Sequence, residues 1–213
     1  MSVKEDVKKG TRVSARQENA DAIARRGDQL YKKGDLDGAL DMYRKACTLR
    51  PENASLTRKL AGVLKENGDL SGAIEEYRRV LDSDPDDPVA RKGLAESLFD
   101  SDRLEDATTE YQALVTLDTE DPCAHFGLGD AYYRRGMLDA SIGEVSESIR
   151  LKPSHPFYHL RMGILLETKG ETDGAIASLE RAIGLKPDLR EADERLRRLR
   201  NPSGKMRKRT KTQ

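Results

Sequence analysis

Tryptophan is absent from the chain, aromatic residues make up 5% of it, and cysteine occurs only at Cys47 and Cys123. Few large rings beside a charged fraction of 36% argue against the single large core of a sandwich or a parallel-sheet enzyme, and for a surface-rich arrangement of helices. Two distant cysteines without a CxxC companion exclude a disulfide framework and a zinc ribbon, and they point to a reducing compartment. No apolar run approaches the roughly 18 residues that span a bilayer, and the opening MSVKEDVKKG has no apolar signal region. A soluble, cytoplasmic protein without a membrane partner is expected. P-loop, GxGxxG and GxSxG patterns are also missing, which removes the usual phosphate cradles and nucleophile elbows.

Ligand-type side chains gather only at Cys123, His125, His155 and His159, where Pro156 and the turn before it make a metal site hard to preorganise. Ordinary packing and surface roles are the simpler reading. No pair of carboxylates stands out from the many acidic residues, which read as solvated helix faces. No catalytic residue, metal or cofactor is therefore expected, and the chain is not expected to be an enzyme.

Basic and acidic residues balance at 38 each, but the sum hides a gradient. Residues 190–213 hold ten Lys/Arg against three Asp/Glu, and residues 1–18 hold five against three, so residues 19–189 carry a net charge of −9. An acidic body ends in a basic segment.

Turn and packing residues recur at an interval of 34: Pro51 and Pro85, Pro153 and Pro187, and the series Pro88, Pro122 and Pro156. With Ala20, Ala54, Pro88, Pro122 and Pro156 as position 1, position 8 is Gly27, Ala61, Ala95, Gly129 and Gly163, and position 20 is Ala39, Ala73, Ala107, Ser141 and Ala175. Position 24 is Tyr43, Tyr77, Tyr111, Val145 and Leu179. Small residues at positions 8 and 20 let two helices approach closely, while larger ones fill the space around them. Position 15 holds Gly34, Gly68, Asp102, Gly136 and Gly170, residues that tolerate the left-handed conformation of a helix stop.

This pattern resembles the tetratricopeptide repeat family over residues 20–189. The resemblance implies an all-α, right-handed α-solenoid of five helix pairs at 20–53, 54–87, 88–121, 122–155 and 156–189. Residues 190–200, with Ala192, Leu196 and Leu199 on one side and charge elsewhere, read as a capping helix. A partly disordered extension at 1–19 and a basic disordered tail at 201–213 complete the organisation. Position 4, where the family has tryptophan, holds Ile23, Thr57, Arg91, His125 and His159. Thr119 in place of the proline at position 32 of the third pair, and serines 141 and 148 in the fourth, suggest that these two pairs are the most loosely packed.

In the family that the chain resembles, first helices line a groove that holds a peptide, mainly through positions 2, 5, 6, 9, 12 and 13. Carried over, these offsets give Arg25, Arg58, Lys59 and Lys92, interrupted by acids, toward the N-terminus. Toward the C-terminus they give Phe99, Phe126, Tyr133, Phe157, Leu160 and Ile164, beside Arg134 and Arg161. Exposed apolar side chains mark interaction sites, so the second group suggests anchoring of apolar ligand side chains and the first suggests contact with acidic ones. The alternative for Phe157, Leu160 and Ile164 is burial against the capping helix. The carboxylate clamp that reads chaperone tails is not matched: its places hold Ala24 and Asp28, then Lys59, then Val89 and Gly93.

The sequence thus implies a scaffold or adaptor that binds another protein or peptide, with self-association through the groove left open. The second reading is a nucleic-acid or ribosome-associated factor in which Lys205, Arg207, Lys208 and Arg209 supply affinity and the repeats supply geometry.

Overall fold

A computed structural model describes the backbone of residues 3–201 and the side chains of residues 17–201. Among the described residues there are eleven helices and no strand: α1 (Val3–Lys32), α2 (Leu36–Leu49), α3 (Ala54–Glu66), α4 (Leu70–Ser83), α5 (Pro88–Asp100), α6 (Leu104–Leu117), α7 (Pro122–Arg134), α8 (Leu138–Leu151), α9 (Pro156–Lys169), α10 (Thr172–Leu185) and α11 (Arg190–Arg200). They form two compact units, one ending at Leu117 with α1–α6 and one beginning at Asp118 with α7–α11. The expected basic tail, with Lys205, Arg207, Lys208 and Arg209, lies outside the described residues.

The N-terminal segment differs from the expected extension, because α1 begins at Val3 and runs without a break into the first helix pair. Residues 3–19 contain one glycine and no proline, and are rich in Lys, Arg and Glu, so nothing in them stops the helix.

Within each pair the small residues sit where the helices come closest. Ala39, Ala73, Ala107, Ser141 and Ala175 are fully buried, as are Ala61 and Ala95. Tyr77 of α4 lies flat against the backbone of α5 at Gly93, so that a Cβ added there would stand 2.5 Å from its Cε1 and 2.6 Å from its Cε2. Burial, then the nearby Glu96 and Glu66, push the Tyr77 phenol up to about 12. The serines of the fourth pair are not loosely held: both are fully buried, Ser141 donating to the Gly129 carbonyl at 2.7 Å and Ser148 to the Glu144 carbonyl at 3.1 Å.

Each first helix stops in the left-handed region, with φ of 80°, 85°, 75° and 86° at Gly34, Gly68, Gly136 and Gly170, and 63° at Asp102. Starts are capped by side chains: Asn53 accepts from the Leu56 N–H, Asp87 from Val89 and Ala90, and Asp121 from Cys123. Proline occupies the first turn of α5, α7 and α9, where no donor is needed.

The missing tryptophans have a structural replacement. Arg91 donates to the Pro85 carbonyl, and the His125 and His159 Nε2 atoms lie 3.1 and 2.8 Å from the Thr119 and Pro153 carbonyls, six residues back in each case. Arg91 and His125 also reach across their pairs to Glu110 at 2.6 Å and Glu144 at 2.7 Å. Arg91, His125 and His159 at position 4 therefore each bond a carbonyl of the preceding turn, and Arg91 and His125 tie that turn to the second helix of their pair as well.

At the end of unit 2, α11 lays Ala192 and Leu196 on a cluster of Leu160, Ile164, Leu179, Ala182 and Leu189. Arg195 and Arg198 add ion pairs to Glu167 of α9, both at 2.8 Å.

Candidate functional site

The face formed by first helices is crossed by a recurrent seam of charge. In unit 1, Asp28 of α1 meets Lys59 of α3 at 2.6 Å, and Lys65 of α3 pairs with Glu96 of α5. In unit 2, Arg161 of α9 donates its Nη2–H to Oδ2 of Asp130 of α7 at 3.0 Å, and its Nε lies 2.7 Å from Asp130 Oδ1 in an ion pair that makes no hydrogen bond. Position 9 of one first helix thus faces position 6 of the next in the two aspartate pairs, and position 12 faces position 9 in Lys65–Glu96, so these offsets belong as much to helix packing as to the solvent surface. Arg58 is drawn away as well, bonded to the buried cap Asp87.

The seam shifts the acids it holds. Burial works against the Asp28 carboxylate, but hydrogen bonds from Lys59 and Tyr43 outweigh it and hold the group below the usual range. Asp130 is deeper, and burial pushes it above that range despite Arg161.

The basic and acidic residues expected to meet a ligand in unit 1 are therefore largely engaged with one another, while Arg25 and Lys92 stand exposed and Phe99 is half-buried on α5. A cavity of about 310 Å³ also opens between α2, α3 and α4, lined in part by Arg44, Cys47, Glu76 and Arg79. Arg79 there already donates to Thr57 at 3.0 Å and pairs with Glu76 at 2.8 Å.

In unit 2 the apolar residues part company. Leu160 and Ile164 are 6% and 7% exposed, sealed under α11, so for these two the burial alternative holds and they are core, not lining. The reason is the seam geometry: positions 5 and 9 of α9 face the capping helix as those of α7 face α9. Phe157 is 42% exposed. Phe126 is half-buried, its ring 4.8 Å from that of Tyr158, while His155 stacks at 4.1 Å on Tyr158 and at 5.8 Å from Phe157. Lys186 reaches over the Phe157 ring at 5.1 Å, and the Arg161 guanidinium lies 5.6 Å from the Tyr133 ring. Arg134 is exposed at the end of α7.

What sequence offsets missed is His155 and Tyr158, which complete the ring cluster from outside the groove positions; the run His155-Pro156-Phe157-Tyr158 was the available signal. Cys123 contributes its Sγ 3.6 Å from the Tyr158 hydroxyl. Among the described residues no group of three or more His, Cys, Asp or Glu is arranged to hold a metal ion, and no helix is long and apolar enough to cross a membrane.

Tetratricopeptide repeat models match residues 30–97 and 64–116, then 92–156, then 158–189. The chain belongs to the tetratricopeptide repeat family. Its fold is the all-α tetratricopeptide solenoid. Among solved structures, MamA is 27% identical with a TM-score of 0.71, the match covering 76% of this chain and 94% of MamA. YrrB, a tetratricopeptide protein with an unusual peptide-binding site, is 21% identical over 88% of this chain and 97% of its own, with a TM-score of 0.71. A thermophilic tetratricopeptide protein of Thermus thermophilus is 20% identical over 84% and 98%, with a TM-score of 0.66. No match is found among curated proteins.

His155 makes the ring cluster of this tetratricopeptide chain sensitive to pH. It stands at the N-cap of α9 with no side-chain cap bond, its Nδ1 is buried without a partner, and burial, then Lys152, hold its pKa below 6.5. As pH falls through the ordinary histidine range, the unfolded chain takes up a proton here that the folded chain resists, so stability falls toward acid. His155→Asn supplies a true cap, worth about 0.5–2 kcal/mol, and removes that slope. Urea midpoints across pH check this; an acid slope unchanged by the substitution would contradict it.

Proposed function

We propose that this protein is a polypeptide-binding scaffold, and that unit 2 holds its ligand across the face between α7 and α9. The observation that carries the reading is Phe157, a ring 42% exposed on a helix whose other large apolar residues are covered or half-buried. Phe126 lies half-buried beside Tyr158, and Tyr133 packs part-exposed against the Leu160–Ile164 cluster with the Arg161 guanidinium over its ring. Such a cluster of aromatic and arginine side chains is the composition that dominates binding energy at protein interfaces. The peptide-binding site of YrrB, on the same fold, is consistent with this use.

The ligand is not a chaperone tail read by a carboxylate clamp. The places that such a clamp requires hold Ala24, Asp28, Lys59, Val89 and Gly93, and two of them, Asp28 and Lys59, bond each other. Catalysis plays no part in the reading, because an open face between helices offers no water-excluding pocket.

Replacing Phe157 by serine removes an exposed ring and leaves the core under α11 untouched. Ligand affinity is expected to fall about tenfold to a hundredfold, the range for loss of an interface anchor, with helical circular dichroism unchanged. Titration calorimetry against a captured partner decides it, and full retention of affinity would refute the reading.

A further inference from the structure

Resting on the reading above, we propose that the segment seated on the α7–α9 face is uncharged and apolar, and that Arg161 reads its main chain through the guanidinium edge that Asp130 leaves unused. The carboxylates of Asp130 and Glu167, and Arg161 with them, are already paired internally. Asp130 accepts from Nη2 of Arg161 and lies 2.7 Å from its Nε, on the side of the guanidinium away from Nη1, and Glu167 is shared by Arg195 and Arg198. A ligand carboxylate arriving at Arg161 meets the Asp130 carboxylate beside it, and a ligand cation arriving at Asp130 or Glu167 meets the arginines. Both approaches are opposed at short range in a partly buried setting, where charges are poorly screened.

A main-chain carbonyl suffers neither repulsion. It needs only a fixed N–H donor, and Arg161 is fixed twice, by its hydrogen bond and ion pair with Asp130 and by the Tyr133 ring 5.6 Å away. The rest of the face, Phe126 and Phe157, asks for apolar side chains. Lys186 lies over part of the Phe157 ring on a long flexible stem and leaves the residue 42% exposed to a ligand.

The test uses the full chain and four synthetic peptides of equal length: Leu/Phe anchors in a Ser/Gln background, the same anchors in an Asp/Glu background, the same in a Lys background, and the Ser/Gln background without anchors. Binding is read by fluorescence anisotropy at low and at physiological salt. The neutral anchored peptide is expected to bind about tenfold or more tighter than either charged one, with little change on adding salt. Arg161→Lys keeps the charge but loses the fork, and is expected to weaken that peptide about tenfold with helicity intact. Replacing the peptide's amides by esters, which weakens the carbonyl acceptors, should then cost the variant little more. Preference for the acidic or the basic peptide, or a steep salt dependence, overturns the inference while leaving the face as a binding site. Failure of every anchored peptide to bind better than the anchorless one overturns both this inference and the function it rests on.

Discussion

Gly93→Ala is expected to destabilise unit 1 by about 2–3 kcal/mol, a shift of several degrees in its melting midpoint. The methyl group has no space of its own, since it would enter the Tyr77 ring at 2.5–2.6 Å from its two Cε atoms. Alanine favours a helix over glycine by about 1 kcal/mol, so the substitution should stabilise α5 if propensity alone decided, and the clash has to exceed that gain. A cycle with Tyr77→Ala separates the two effects. If the ring is the obstacle, the double variant loses less than the sum of the single losses; strict additivity would exclude the clash as the cause. Such dependence is expected where a ring at position 24 rests on the backbone of the next first helix.

Leu196→Ala should cost unit 2 about 2–3 kcal/mol, because it removes the side chain that closes the cluster of Leu160, Ile164 and Leu179 while keeping a strong helix former in α11. The alternative is that α11 is held mainly by Arg195 and Arg198 on Glu167. Those pairs are part-exposed, with side-chain exposures of 26% and 63% on the arginines, and exposed pairs contribute about 0–1 kcal/mol each. Packing therefore wins. Glu167→Gln is expected to lose less than half as much stability as Leu196→Ala in parallel urea titrations, and the reverse order would make the cap an electrostatic clasp.

Much of this fold is legible in the sequence because stacking of near-identical helix pairs repeats its steric demands at a fixed interval. Small residues at positions 8 and 20 and a left-handed stop at position 15 follow from close approach and helix termination alone, and Asp102 adopts its positive φ where four glycines do the same. The start of α1 was not legible, since residues 3–19 lack both the repeat signature and a breaker. Nor was the use of position 4: Arg91, His125 and His159 look like departures from a tryptophan until their bonds to carbonyls six residues back are seen.

The groove offsets point to Phe126, Tyr133 and Phe157, the residues of the proposed face, but they also gather residues that serve the contact between consecutive first helices. Lys59 and Arg161 are consumed by Asp28 and Asp130, each 31 residues earlier, a spacing visible in the sequence only once the facing offsets are known. Leu160 and Ile164 occupy groove offsets too, yet the last first helix has a cap beside it instead of a further pair, and the cap needs their apolar surface.

The chain has three phenylalanines, so fluorine-labelled phenylalanine places one probe on unit 1, at Phe99, and two on the proposed face, at Phe126 and Phe157. Titration with the neutral anchored peptide, followed by fluorine NMR, should shift the Phe157 and Phe126 resonances in parallel with the binding isotherm and leave Phe99 in place. A bound peptide that shifts Phe99 alone, or moves none of the three, would contradict the account.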